Sequence, residues 1–236
     1  MPSTTAASSG TSTSPRAPRS VRTSSAVRTR VKICGITNPG DARTAVAAGA
    51  DALGVVLAPS SRQVTIAEAA RALADVPPLV ARVGVFVNAD PAYVAEAVER
   101  IGLTYVQFHG DESPEVCAAA PVPVIKAMQV GTAFALEDLE PFGAAVRAFL
   151  LDATDPRKRG GTGRTFNWQL LTRNRPDGLH LILAGGLSPQ NVAEAIRIAR
   201  PFAVDVSSGV EEHPGHKDPI KIAAFMAAVR AADEEG

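Results

Sequence analysis

The sequence predicts a single α/β domain, a (β/α)8 TIM barrel over residues 30–236, behind a disordered N-terminal extension of residues 1–29. Three observations carry this. Eight short apolar, β-branched runs alternate with eight Ala-rich segments of helical spacing, at roughly 26 residues per pair. The length of 236 residues suits one barrel domain. The polar, chemistry-bearing residues gather where strands end.

The strands are read at 31–36 (VKICGI), 52–57 (ALGVVL), 79–87 (LVARVGVFV), 104–108 (TYVQF), 122–126 (VPVIK), 147–151 (RAFLL), 179–183 (LHLIL) and 202–206 (FAVDV). The helices are read at 39–48, 66–74, 91–100, 113–119, 132–140, 167–173, 189–199 and 218–231. Asn38-Pro39 and Asp90-Pro91 set a capping oxygen before a proline at the first helical position, where its missing N–H costs nothing. Ser113-Pro114, Ser188-Pro189 and Asp218-Pro219 repeat the device. Gly49 and Gly102 stand where a helix ends in a left-handed residue. Near-continuous apolar strands between helices imply a parallel sheet covered on its faces, and eight units imply closure. A doubly wound open sheet is the alternative. Its dinucleotide fingerprint is missing, since the first turn reads CGITNPGD.

Apolar residues make up 46% of the chain and aromatics only 5%, so a large core must come from Ala, Val, Leu and Ile. No apolar run reaches the roughly 18 residues of a membrane span. The net charge is zero but uneven. Arg16, Arg19, Arg22, Arg28, Arg30 and Lys32 precede the first acid, Asp41, which leaves the rest acidic by the same six charges. A mildly acidic body argues against a nucleic-acid partner. Cys34 and Cys117 are too few for a disulfide framework and fit a reduced cytoplasm. Residues 1–29 are mainly Ser, Thr, Ala, Arg and Pro, with too little apolar area to offset the entropy of ordering. Three readings stand for them: a transit peptide, a basic arm for anionic partners, or an idle tail from an upstream start. The lack of an apolar h-region argues against a secretory signal.

In such a barrel the active site lies at the C-terminal ends of the strands. The first strand carries Cys34, the second leads to Arg62, and the third to Asn88. The fourth leads to His109, with Gln107 two residues earlier on the same face. The fifth ends at Lys126, the sixth at Asp152, and the last contains Asp205. Glycine-rich turns follow the last three strands, and glycine lets backbone N–H groups close on an anion. They point to a phosphate site at Gly161, Gly163, Gly185, Gly186, Ser207, Ser208 and Gly209, although each turn alone is weak evidence. A thiol and a carboxyl facing a bound phosphosugar could then move protons. His109, His180, His213 and His216 lack metal-ligand spacing, so neither a metal nor an organic cofactor is expected.

Each residue also has a plain reading. A strand cysteine is commonly a small buried hydrophobe, and Asp152 could cap the next loop. Gln107 and His109 could fix their loop, Lys126 could contact substrate or pair with a neighbouring carboxylate, and Asp205 could orient the phosphate loop. Cys117, Phe166 and Trp168 read as packing residues.

The motifs go beyond fold class. VKICGIT at 31–37, VGVFVN at 83–88, VQFHGDE at 106–112, LLDA at 150–153, GGTGRTFNW at 160–168, LAGGLSPQNV at 183–192, VDVSSGVE at 204–211 and PGHKDPIKI at 214–222 occur in one order. This ordered set, covering 31–231, resembles the phosphoribosylanthranilate isomerases of tryptophan biosynthesis. The resemblance implies an intramolecular aldose–ketose isomerase that needs no cofactor. It would catalyse the Amadori rearrangement of N-(5-phosphoribosyl)anthranilate to 1-(2-carboxyphenylamino)-1-deoxyribulose 5-phosphate, the third step from chorismate. By position Cys34 matches the family's general base and Asp152 its general acid. Arg62 matches the arginine that pairs with the anthranilate carboxylate. From strand position alone, Gln107 and His109 could line the substrate pocket and Asp205 could touch a ribose hydroxyl. His216 is a departure at the lip of the site.

An ordinary thiol, with a pKa near ~8.5, is only about 3% thiolate at pH 7, so nearby positive charge, with Lys32 as one source, is expected to lower the Cys34 pKa. Three rivals remain. A sister isomerase of histidine biosynthesis would use two aspartates. Another phosphate-binding barrel would need clustered metal ligands or a lysine at the end of the sixth strand. A non-catalytic phosphometabolite-binding barrel would need no Cys34–Asp152 pair. The expected partner is a small phosphoribosyl substrate, and the chain is read as a monomer or homodimer.

Overall fold

The structure is a computed structural model that describes residues 1, 28–131, 134–152 and 179–235. Most of the N-terminal extension, the helix read at 167–173, Phe166, Trp168 and the turn with Gly161 and Gly163 lie outside the described residues. The described chain runs β1 (Arg30–Cys34), α1 (Pro39–Ala48), β2 (Ala52–Val56), α2 (Ile66–Ala72), β3 (Ala81–Phe86), α3 (Pro91–Ile101), β4 (Tyr105–Phe108), α4 (Pro114–Ala118), β5 (Val124–Gln129) and β6 (Ala148–Asp152). It continues through β7 (Leu181–Ala184), α5 (Val192–Ala199), β8 (Ala203–Val206), β9 (Glu211–His213), β10 (His216–Lys217) and α6 (Pro219–Glu235). Strands β1 to β8 form a closed parallel barrel in chain order, and β9 and β10 form a small antiparallel hairpin.

The caps explain where the helices begin. Asn38 Oδ1 accepts the Asp41 N–H at 2.9 Å, and Asp90 Oδ1 accepts that of Ala92 at 2.7 Å. Asp218 Oδ1 accepts that of Ile220 at 2.8 Å. Thr65 and Glu68 close a reciprocal capping box on α2. Gly49 and Gly102 end α1 and α3 at φ of 100° and 70°, where a side chain would be strained.

Three readings of the sequence are corrected. The segment read as a helix from 132 to 140 is a 3-10 helix over Leu136–Ala145, interrupted by Pro141 and by Gly143 at φ 36° and ψ −122°. Ser188-Pro189 opens a turn, not a helix: the Ser188 carbonyl accepts the N–H groups of Asn191 and Val192, and α5 begins at Val192. The third strand starts at Ala81, not Leu79, because Val80 is turned back onto the Pro77 carbonyl after two prolines.

The core lies in two shells. Outward strand residues such as Val31, Ile33, Phe86 and Leu151 pack beneath the helices. Inward ones, such as Val83, Ile125, Leu150 and Ile182, fill the barrel. At the barrel mouth Glu112 accepts the Asn88 N–H at 2.7 Å, the Gly110 N–H at 2.9 Å and the buried Lys126 ammonium at 3.1 Å. Lys126 therefore pairs with a carboxylate and braces the loops after β3 and β4. Glu112→Ala would strand that ammonium, so it is expected to lower the unfolding free energy by about 3–5 kcal/mol. Urea denaturation with an unchanged slope would show this; a loss below about 1 kcal/mol would contradict it.

Candidate active site

Alternation along the strands decides which side chains enter the barrel. On β1, Val31 and Ile33 belong to the outer shell, so Lys32 and Cys34 point inward. The same parity sends Gln107, Leu150, Asp152 and Asp205 into the interior. At the C-terminal end Cys34, Gln107, Leu150, Asp152 and Asp205, with Arg62 and His109, line one cavity of about 350 Å³. That volume is in the range of small-ligand sites. Gly185, Gly186, Ser207 and Ser208 form another part of its wall. A cavity of about 370 Å³ at the opposite end is lined mainly by apolar groups and holds no thiol. A wider depression of about 740 Å³ beside α2 and α3 is open to solvent, and its Glu96 and Arg100 pair with each other.

Cys34 is buried. It sits opposite Gly54 in the β1–β2 register. A Cβ on Gly54 would lie 2.8 Å from its sulfur and 3.1 Å from Lys32 Nζ, so only glycine leaves room for both groups. Lys32 is also buried, and its ammonium meets Asp205 Oδ1 at 2.9 Å, across the β1–β8 register in which the two residues are partners. Burial pushes the Cys34 thiol up, and Lys32 beside it pulls in the opposite direction. Burial wins, so the thiol lies above its ordinary value, against the expectation of a lowered one. Lys32 is itself penalised by burial, but Asp205 and Cys34 together hold its proton more tightly than usual.

Asp152 ends β6, three strands from β1 around the closed sheet. Its Oδ2 lies 3.3 Å from His109 Nε2, and His109 Nδ1 lies 3.2 Å from Gln107 Nε2. If the Gln107 amide donates there, His109 carries its ring proton on Nε2, facing the carboxyl. The opposite atom of that amide, Oε1, is buried without a partner among the described residues and belongs to a side chain on the cavity wall.

Arg62 reaches over the mouth from the loop after β2. Its Nε and Nη2 donate to Glu211 at 2.8 and 2.6 Å. Its Cδ crosses Gly35, where an added Cβ would come within 2.6 Å. Gly185 and Gly186 are left-handed, at φ 85° and 66°, and nothing lies within 4 Å of where a Gly186 Cβ would stand. Gly209 differs: its Cβ would meet the Leu187 carbonyl at 1.9 Å, so it locks the loop after β8 against the loop after β7. Glu211 and Lys217 were absent from the residues singled out in the sequence. Their signal was an acid and a lysine six residues apart around a His-Pro-Gly turn.

Fold and site together define a closed barrel whose C-terminal cavity gathers a thiol, carboxylates, a histidine, an arginine and two glycine- and serine-bearing turns. Comparison with known proteins narrows this. A family model described as N-(5'-phosphoribosyl)anthranilate isomerase matches residues 31–228. The N-(5'-phosphoribosyl)anthranilate isomerase of Acidithiobacillus ferrooxidans is 52% identical over 206 residues, covering 85% of this chain and 97% of that protein. The crystal structure of the Thermotoga maritima phosphoribosyl anthranilate isomerase superposes with a TM-score of 0.77 at 44% identity, covering 86% of this chain and 99% of that one. Another isomerase structure, in complex with reduced 1-(o-carboxyphenylamino)-1-deoxyribulose 5-phosphate, has a TM-score of 0.74 at 42% identity and covers 86% and 99%. The chain belongs to the N-(5'-phosphoribosyl)anthranilate isomerase family.

The raised Cys34 thiol fixes the sign of a titration. A raised value leaves less thiolate at neutral pH and moves the reactive form to higher pH. In a Cys117→Ala background, iodoacetamide alkylation of Cys34 is expected to have its midpoint above that of free cysteine. Lys32→Met should move it higher still, since Lys32 favours the thiolate. A midpoint at or below the free value would contradict the assignment.

Proposed function

We propose that this protein isomerises N-(5-phosphoribosyl)anthranilate to 1-(2-carboxyphenylamino)-1-deoxyribulose 5-phosphate. One observation carries the chemistry: Cys34 and Asp152 enter a single cavity from separated strands of the closed barrel. Arg62 and the Gly185-Gly186 and Ser207-Ser208 turns line different parts of that cavity, and each is of a kind that can hold an anion. The substrate carries two anionic groups, a carboxylate and a phosphate. Arg62 takes the carboxylate, and backbone N–H groups of the glycine turns take the phosphate. Gln107, His109 and Asp205 contact the ribose between them. Gly161 and Gly163, outside the described residues, complete the phosphate end in this reading.

The protons balance without a co-reactant. Protonated Asp152 gives its proton to the ribose ring oxygen as the C1–O bond breaks, and the nitrogen lone pair forms an iminium. The Cys34 thiolate then takes the proton from C2, leaving an enolamine. C1 takes a proton back from the Cys34 thiol and the C2 hydroxyl gives one to the Asp152 carboxylate, giving the ketone and restoring both groups. The iminium explains how a buried thiol serves as a base. The base is the thiolate fraction of Cys34, whose own proton has already left to solvent, and the iminium that forms beside it favours that charged form. Both cysteines are free and buried, which supports a reducing, cytoplasmic setting. No helix among the described residues is long and apolar enough to cross a membrane.

Turnover can be followed as loss of anthranilate fluorescence, with the labile substrate generated in place. Cys34→Ser and Asp152→Asn are each expected to lower kcat by about 10²–10⁴-fold. Arg62→Ala is expected mainly to raise KM. A folded wild-type protein that leaves the fluorescence unchanged would overturn the proposal, and turnover of the histidine-pathway aminoribosyl phosphate alone would replace it.

A further inference from the structure

Arginine has a long, flexible stem and two edges that can each grip a carboxylate. The side edge, Nε with Nη2, is fully committed in Arg62: it holds the two oxygens of Glu211 at 2.8 and 2.6 Å. The outer edge, Nη1 with the second Nη2 hydrogen, makes only a 3.4 Å approach to Ser61 Oγ. Arg62 lines the cavity, whereas Glu211 does not.

Glu211 is held as firmly as it holds. It is 94% buried at the start of the β9–β10 hairpin. Its Oε1 also accepts the Lys217 ammonium at 2.8 Å, and its backbone carbonyl accepts Lys221 Nζ at 2.6 Å. Lys217 is anchored in turn, with its N–H on Asp41 at 2.9 Å and its ammonium 3.3 Å from the Ser207 carbonyl. Burial works against the Glu211 charge, but Arg62 and Lys217 outweigh it and keep the carboxylate ionised. Burial pushes Lys217 down, and its contact with Glu211 opposes that. The Arg62 stem is also confined where it crosses Gly35 beside Cys34.

We infer that Glu211 is a positioning residue that makes the site selective for carboxylate-bearing substrates by clamping Arg62 along one edge and presenting the other. The inference rests on the reading that Arg62 binds the anthranilate carboxylate. A clamped guanidinium loses little further freedom when the substrate arrives, and it grips one carboxylate in one orientation. The hairpin anchored by Lys217 ties this clamp to Ser207, the first residue of the turn after β8.

Steady-state kinetics test it with two substrates: phosphoribosylanthranilate and the aniline-derived analogue that lacks the carboxylate. Glu211→Gln is expected to raise KM for the first about tenfold, with kcat within about twofold, and to leave KM for the analogue unchanged. In an Arg62→Ala background, Glu211→Gln should add no further loss, because its effect runs through Arg62. Glu211→Asp keeps a charge beside Lys217 but is too short for the two-point grip. It should show the same split at about threefold, and it serves as the test should Glu211→Gln fail to fold by circular dichroism. Equal losses on both substrates, or a further loss in the Arg62→Ala background, would overturn the inference and leave Glu211 a structural residue. An Arg62→Ala variant with unchanged KM for phosphoribosylanthranilate would instead overturn the Arg62 reading and the inference with it.

Discussion

The pairing of β1 with β8 closes the sheet, and the chemistry of the site depends on that closure. It places Lys32 opposite Asp205, residues 173 positions apart, and sets their ion pair beside Cys34. An open sheet would leave Cys34 on an edge strand, away from Asp152 and Asp205. Closure also fixes parity. Once Val31 and Ile33 are committed to the helical shell, Lys32 and Cys34 have only the barrel interior to enter. The catalytic proposal is thus a consequence of hydrophobic alternation along a closed ring of strands.

Three buried ionic groups brace the mouth: Lys32 with Asp205, Lys126 with Glu112, and Lys217 with Glu211 and Arg62. Taking such charges out of water costs about as much as their attraction returns, so they add little net stability. Their value lies in geometry. The first sets the surroundings of the thiol, the second fixes the loops that carry Asn88 and His109, and the third aims Arg62. The barrel core supplies stability, and the ionic groups hold the reactive side chains where a substrate can meet them.

Much of this was legible in the sequence. Each of the eight strands overlaps its predicted span, because apolar β-branched runs between helical segments have few other solutions. The caps at Asn38, Asp90 and Asp218 were readable because an oxygen before Pro at a helix start has a specific local role. Ser188-Pro189 carries the same signature but forms a turn, since Asn191 bonds back to the Ser188 N–H and holds the chain out of the helix. Cys34, Arg62, Gln107, His109, Asp152 and Asp205, singled out by their place near strand ends, line one cavity. The direction of the Cys34 shift was not legible. It depends on how completely the barrel buries the sulfur, a tertiary quantity that overrides the neighbouring lysine. Nor was the Glu211 clamp, whose arginine lies 149 residues away.

In the proposed complex, substrate lies across the barrel mouth with Cys34 and Asp152 on its reacting atoms. A crystal structure with the reduced product, reduced 1-(o-carboxyphenylamino)-1-deoxyribulose 5-phosphate, tests it most directly. The carboxylate is expected on Arg62 and the phosphate on the Gly185-Gly186 and Ser207-Ser208 turns. The Cys34 sulfur is expected in contact with C2, and the Asp152 carboxyl with the former ring oxygen. A product bound at the mouth with Cys34 or Asp152 out of contact, or with its phosphate at Arg62, would contradict it.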